Sequence, residues 1–263
     1  MRNIVAIRRW FILPVLACMV AGCPVTQHRP PGKITRLREP TTNRRYYVYV
    51  PTWYTAELDW PVVITLHGSD WWDGPLRQAE EWGALADKRG FIVISPKLDS
   101  AEGIIYVSGK GRLRQLAGDD EAILAILDEV AGKYNIDRKS VMLSGFSAGG
   151  YPMWYTGLTH PEVFQVLVAR ACNSSIDLFE SIKPGDRARE LPIYMFWGKD
   201  DLRPIQKQGW RAFRYLRERR FFNTRMKEIA GGHLRRPDIA YSFWSEYLAP
   251  RHRNKALQRK PSR

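Results

Sequence analysis

The sequence predicts an α/β fold, a mostly parallel central sheet with helices on both faces. Three observations carry that prediction. Apolar runs of strand length alternate along the chain with stretches of helical periodicity, the pattern of strand–helix–strand crossovers. The run Pro61-Val-Val-Ile-Thr-Leu66 is apolar at nearly every position, as a strand covered on both faces must be. Finally, Val141-Met-Leu-Ser-Gly-Phe-Ser-Ala-Gly-Gly150 runs from a buried strand straight into a glycine-flanked corner from which a helix can start.

The elements follow in order. Met1 to Gly22 reads as a targeting segment: Arg2, Arg8 and Arg9 precede an apolar stretch, Trp10 to Ala21, too short to span a bilayer. It ends in Val20-Ala21-Gly22-Cys23, which resembles the lipobox of bacterial lipoproteins. That resemblance implies a lipidated Cys23 and a protein exported to the cell envelope, in the periplasm or at the outer membrane. Residues 23–40, rich in proline at the start, read as a tether, and residues 41–249 as a single domain. Within it, Arg45 to Val50, Pro61 to Leu66 and Phe91 to Ser95 read as strands. A helix is expected from Leu76 to Arg89, with Gly90 as its C-terminal cap. Another carries Ile123, Ile126, Leu127 and Val130 at i, i+3, i+4 and i+7, with Asp119 and Asp120 at its N-terminus. Ser108-Gly-Lys-Gly-Arg112 has too many breakers for a helix and reads as a loop above the site. Strands near Phe164 to Ala169, Leu191 to Trp197 and Thr224 to Ile229, with helices around Trp210 to Leu216 and Asp238 to Tyr247, complete the alternation.

Charge and cysteine use narrow the classes. From Arg203 to Arg263 there are 17 Lys plus Arg against four acids, so most of the formal +14 lies in the C-terminal quarter. Its last part, residues 250–263, has no periodicity and no acid and reads as a disordered basic tail. No nucleic-acid recognition motif accompanies the charge, which points instead to anionic envelope polymers, or simply to a solvated basic face. Of three cysteines, Cys18 falls in the targeting segment and Cys23 at its end, leaving Cys172 without a disulfide partner and, after an apolar run, suited to a buried structural role. No metal-ligand cluster or phosphate-binding loop is present, so neither a metal nor a cofactor is expected.

The chemistry centres on Ser147. A serine at a tight strand-to-helix corner is held in a strained conformation with its hydroxyl at the tip, but it needs a base, and the base an orienting acid. Both occur after later strands: Gly198-Lys-Asp200-Asp201 and Ala230-Gly-Gly-His233. Leu66-His67-Gly68-Ser69 closes the second sheet strand with a glycine turn, where the amides of Ser69 and Ala148 are placed to receive an oxyanion. Trp71 and Trp72 between acids, and Tyr151 just beyond the corner, are candidate substrate-binding residues, whereas Trp154 and Trp197 read as core.

With these residues in view, positions from about Arg44 to Trp244 resemble an α/β-hydrolase of the polyhydroxybutyrate depolymerase and feruloyl esterase type. The matching elements are Arg-Tyr-Tyr-Val-Tyr-Val-Pro, Leu-His-Gly, Tyr134-Asn-Ile-Asp137, Gly-Phe-Ser-Ala-Gly-Gly, His160-Pro-Glu-Val-Phe164 and Gly-Gly-His followed by Arg236-Pro237. The resemblance implies a serine esterase without cofactor that cleaves aryl, sugar-linked or short polyester substrates. In that family the acid stands three residues after the strand-closing glycine, which selects Asp201 over Asp200. Two departures stand out: Ser69-Asp-Trp-Trp-Asp-Gly74 after the glycine turn, and Pro152, which withholds a helical hydrogen bond from Ala148 and implies a distorted first turn. Two other readings are a prolyl-oligopeptidase-like peptidase with the same triad and a catalytically silent binding lipoprotein.

Overall fold

The computed structural model describes residues 32–101 and 110–253. The targeting segment with Cys23, residues 108 and 109 of the expected loop, and the basic chain beyond 253 lie outside them. Among the described residues no helix is long and apolar enough to cross a membrane.

The strands are β1 (Ile34–Arg38), β2 (Arg45–Tyr49), β3 (Trp60–Leu66), β4 (Ile92–Pro96), β5 (Ile136–Phe146), β6 (Val166–Arg170), β7 (Ile193–Gly198) and β8 (Thr224–Ile229), arranged in one sheet as β1-β2-β4-β3-β5-β6-β7-β8. β1 and β2 run antiparallel at one edge, and the pairs from β4 to β8 are parallel. Side chains alternate between two cores, as the pleat requires. Val62, Ile64, Leu66, Val141 and Leu143 enter one cluster, and Val63, Met142, Val166 and Val168 the other.

The helices are α1 (Pro75–Arg89), α2 (Lys110–Lys133), α3 (Gly150–Thr159), α4 (Ile176–Ile182), α5 (Asp186–Glu190), α6 (Arg203–Glu218), α7 (Pro237–Ser245) and α8 (Pro250–Arg253). α1 ends as expected, Gly90 taking a left-handed φ of 81° while its amide reaches back to the Ala86 carbonyl. α6 buries Ile205, Gly209, Ala212 and Leu216 and turns Arg203, Lys207, Arg211 and Arg214 outward, so much of the C-terminal charge is a solvated helix face.

Four expectations need correction. The expected tether reaches into the sheet: Ile34-Thr-Arg-Leu-Arg38 is β1, whose polar composition belongs to an edge strand with one solvated side. α2 begins at Lys110, so the glycines of Gly109-Lys-Gly-Arg112 do not all lie in a loop and Asp119 and Asp120 sit inside the helix. Asp119 instead accepts the amides of Asp99 and Ser100 and pairs with Arg44, while Asp120 lies 3.0 Å from His160 Nε2. Helices α4 and α5, of seven and five residues, carry too short a periodicity to be read in advance. The start of the basic tail is folded: in α8 His252 is buried, with Nε2 2.7 Å from Asp137 Oδ2.

Burial works to raise the Asp137 pKa, but hydrogen bonds from His252, Arg251, the Lys139 amide and Ser140 outweigh it and hold the carboxyl at about 2, below its ordinary 3.8. Those interactions are therefore complete above about pH 4 and are lost as pH falls towards 2. His252→Ala is expected to cost about 1–2 kcal/mol at pH 7, measured from the urea midpoint, because it removes one of the Asp137 carboxyl's hydrogen-bond partners together with a buried ring. The gap from the unsubstituted protein should narrow between pH 4 and 2, and a gap that widens there would contradict this account.

Candidate active site

The strand order reverses between β4-β3 and β5, so the C-terminal ends of β3 and β5 flank the sheet's switch point, where parallel α/β sheets leave a crevice. Leu66 pairs with Gly145 there, which sets the turn after β3 against the turn after β5. Phe146 is still extended, at φ −129° and ψ 132°, and the next residue, Ser147, is forced to φ +51°. A non-glycine residue held in that region is strained by about 1–3 kcal/mol, and only surroundings that over-determine the turn keep it there. Close packing does so: a Cβ at Gly149 would lie 2.5 Å from the carbonyl oxygens of both Leu66 and His67. The Ser147 carbonyl accepts the Asn173 amide at 2.8 Å. Residues Ser147–Gly149 form a 3-10 turn before α3 begins, the distortion that Pro152 implies.

The structure brings Asp201 and His233 together. His233 Nδ1 lies 2.8 Å from Asp201 Oδ1, which also accepts the Leu202 amide at 2.7 Å, whereas Asp200 is exposed. The ends of β7 and β8 are tied so that this pair is reproducible: the Lys199 amide donates to Ile229 O and that of Asp200 to Gly231 O. Gln206 on α6 holds the same turn by donating to the carbonyls of Lys199 and Asp201. Gly198 has to be glycine, because a Cβ would fall 2.0 Å from Gly231 O. With Nδ1 donating to the carboxylate, Nε2 is the basic nitrogen; it is buried and, among the described residues, makes no hydrogen bond, to the Ser147 hydroxyl or to any other group. The imidazole ring packs on Phe146, the neighbour of Ser147, at 4.8 Å between centroids.

The turn after β3 faces this pair. A Cβ on Gly68 would lie 3.2 Å from Ser147 Cβ, so the glycine lets the two turns meet. The Gly68 amide is committed to Asp73 Oδ2 at 2.7 Å. Fully buried His67 accepts the Leu98 amide at Nε2 and sets Nδ1 2.7 Å from Gly68 O. Burial lowers its pKa and the nearby Asp70 only partly opposes this, so His67 is a neutral clamp between the turn and the chain after β4.

Sequence reasoning missed the network beneath. Asp73 also accepts Gln78 Nε2 at 2.8 Å, and Gln78 Oε1 accepts both Thr65 Oγ1 and Arg170 Nη2. Arg170, at the end of β6, is completely buried and donates in addition to Thr65 Oγ1 and Ser144 Oγ, both at 2.8 Å. Burial holds its pKa down to about 10. A single arginine ending the apolar run Val166 to Ala169 was the available signal. Its three side-chain partners come from β3, β5 and α1, and only the fold assembles them.

Among the aromatics, Trp71 is 78% exposed, while Trp72 is half-buried, its ring 5.4 Å from that of His233. Tyr151 is buried, with Arg112 3.9 Å over its ring, and lines a separate cavity of about 360 Å³. Trp154 and Trp197 are core residues. The Cys172 thiol is buried and pushed up to about 12, so it is not a nucleophile. Among the described residues no three His, Cys, Asp or Glu side chains gather as a metal site requires.

Comparison with known proteins places this geometry in context. The model of the Esterase family matches residues 38–225. The chain is 29% identical over 164 residues to the bifunctional acetylxylan esterase/xylanase of Neocallimastix patriciarum, covering 62% of this chain and 22% of that protein. It is 30% identical over 151 residues to feruloyl esterase B of Neurospora crassa, covering 53% and 49%. It thus spans about half or less of these relatives' lengths. Among solved structures, a CE1 ferulic acid esterase from Anaeromyces mucronatus superposes with a TM-score of 0.60 at 18% identity, over 82% of this chain and 88% of that one, a likeness of fold.

Replacing Arg170 should damage the domain rather than trim it. Arg170→Met removes the donor shared by Ser144, Thr65 and Gln78 and is expected to cost about 2–4 kcal/mol in urea unfolding. A loss below about 0.5 kcal/mol would show that the network carries little of the stability.

Proposed function

This chain belongs to the Esterase family, and from that premise we propose that it is a serine carboxylic ester hydrolase working through an acyl-enzyme. The observation that carries the proposal is Ser147 held at φ +51° at the switch point, with the Asp201-paired His233 packed on the adjoining Phe146. In this reading the Ser147 hydroxyl attacks the ester carbonyl and His233 Nε2 takes its proton. The same nitrogen returns the proton to the departing alcohol, and a water then releases the acid by the reverse sequence. Asp201 keeps the proton on Nδ1 and stabilises the imidazolium. Hydrogen bonds of this kind are commonly absent in a free enzyme and form when substrate binds, which accounts for the unbonded Nε2.

The oxyanion falls to the amides of Ala148 and Ser69. The amide of Gly68 is already used by Asp73, which supports Ser69 as the donor from that turn. Such a donor contributes about 3–4 kcal/mol to the transition state. Trp72 beside His233 and exposed Trp71 support substrates with an aryl or sugar group, the classes named in the relatives' descriptions, with short polyesters as a further ester class. Tyr151, under Arg112, lines a neighbouring cavity, so any substrate contact it makes is through that cavity.

The lipobox-like Val20-Ala-Gly-Cys23 supports export and anchoring at the envelope through lipidated Cys23, with the exposed basic face of α6 available to anionic envelope polymers. Both rest on sequence and charge. If the anchor exists, the mature protein gains the mass of a lipidated cysteine and partitions into detergent, and Cys23→Ser abolishes both; an unmodified N-terminus in the unsubstituted protein removes the anchor.

The catalytic reading is tested on an activated short-chain ester. Ser147→Ala and His233→Ala should abolish turnover while leaving the melting temperature within a few degrees. Asp201→Asn should lower kcat by up to about ten-thousand-fold, and exposed Asp200→Asn by less than about tenfold. Substantial activity in purified Ser147→Ala ends the acyl-enzyme mechanism; an inactive Asp200→Asn beside an active Asp201→Asn reassigns the acid.

A further inference from the structure

The turn from β3 into α1 bounds a cavity of about 430 Å³ that neither Ser147 nor His233 lines. Trp72 is the partition, because it lines the cavity and also packs against the His233 ring. Next to it stands Trp71, largely exposed, with ring centroids 6.1 Å apart. Three cations stand in the rest of the wall, among neutral and acidic residues: Arg45 from β2, Arg77 from the start of α1, and Lys97 just after β4.

The acids in this wall are already engaged. Asp70 pairs with Lys97 and lies 3.4 Å from His67 Nδ1. Asp73 is buried, holds the Gly68 amide and Gln78, and has Arg235 at 3.4 Å. Arg45 and Arg77 are exposed, and among the described residues neither pairs with a carboxylate. Arg77 uses only Nη1, donating to the Trp72 carbonyl at 3.0 Å, which fixes the guanidinium at the cavity wall. The Arg45 guanidinium and the remaining N–H groups of Arg77, beside an exposed indole, make a site for a ring with an anionic substituent, since guanidinium donors match a carboxylate and the indole face takes a ring.

We propose that this cavity is a subsite for a carboxylate-bearing sugar or aryl ring, with Arg45 and Arg77 holding the carboxylate and Trp71 receiving the ring face. As a subsite of an ester substrate it rests on the esterase reading above. The ring sits away from the scissile bond, across Trp72. Its binding is therefore present in ground and transition states alike and governs KM more than kcat.

The test uses matched ester pairs and the double variant Arg45→Gln/Arg77→Gln. One pair is an acetylated glucose carrying a β-linked glucuronic acid against the same acetylated disaccharide ending in glucose, the other 4-(3-acetoxypropoxy)benzoate against its benzamide, so that a spacer separates the ester at Ser147 from the ring beyond Trp72. For at least one pair the double variant should lose about tenfold in kcat/KM on the anionic member, through KM, while its neutral partner stays within about twofold. The effect should shrink in about 0.5 M salt, and the responding pair identifies the ring as sugar or aryl. No selective loss in either pair, or an equal loss on charged and neutral members, overturns the subsite. Calorimetric titration with methyl glucuronide and with benzoate separates the two ideas, because it needs no turnover. If 4-nitrophenyl acetate is not hydrolysed, the esterase reading fails; binding of either acid that the double variant loses still supports the subsite, and binding of neither overturns it.

Discussion

The constraint on which the site depends is the close pairing of β3 with β5 at the centre of the sheet. Leu66 opposite Gly145 sets the height of the two strand ends, and the carbonyls of Leu66 and His67 then lie 2.5 Å from where a Gly149 side chain would begin. The chain leaving β5 has one way out, a tight turn whose cost is the left-handed Ser147. Strain at this residue is thus held in place by packing against a neighbouring strand and by the Asn173 amide on its carbonyl.

A second layer keeps the opposing turn equally rigid. Asp73 fixes the Gly68 amide and is itself held by Gln78, which is held in turn by Arg170. A buried guanidinium is a costly group, and here its donors are met by Ser144, Thr65 and Gln78 instead of a close carboxylate. The network joins β3, β5, β6 and α1 directly below the crevice, so the positions of the two turns are coupled through one cation. Neutral His67 performs the matching task on the other side, tying the turn to the amide of Leu98.

Charge is distributed with the same separation of roles. The basic residues of α6 face solvent, and their number follows from the outward half of a strongly amphipathic helix. Arg45 and Arg77 are different in kind, since they converge with two indoles on one concave surface. At the far end of the molecule, Asp137 gathers Arg251 and His252 and turns the first residues of a basic segment into a docked helical turn.

What the sequence determined by itself was everything encoded in short windows. Two-face burial of Pro61 to Leu66, the capped helix ending at Gly90 and the strand ending at Ile229 depend on local periodicity and capping, and all stand in the structure. The serine corner, the Asp200-Asp201 pair and His233 were legible because backbone geometry at a tight turn demands particular residues at fixed spacing. Edge strand β1 was not legible because a strand with one solvated side carries no continuous apolar run, and the docked α8 was not because His252 is held by Asp137, far back in the chain. Tertiary structure alone decided that His233 reaches Asp201, the acid the family resemblance selects, and that Arg170 finds its side-chain partners on three other elements. Each is a contact between residues far apart in the chain, where only the pairing of strands sets the distance.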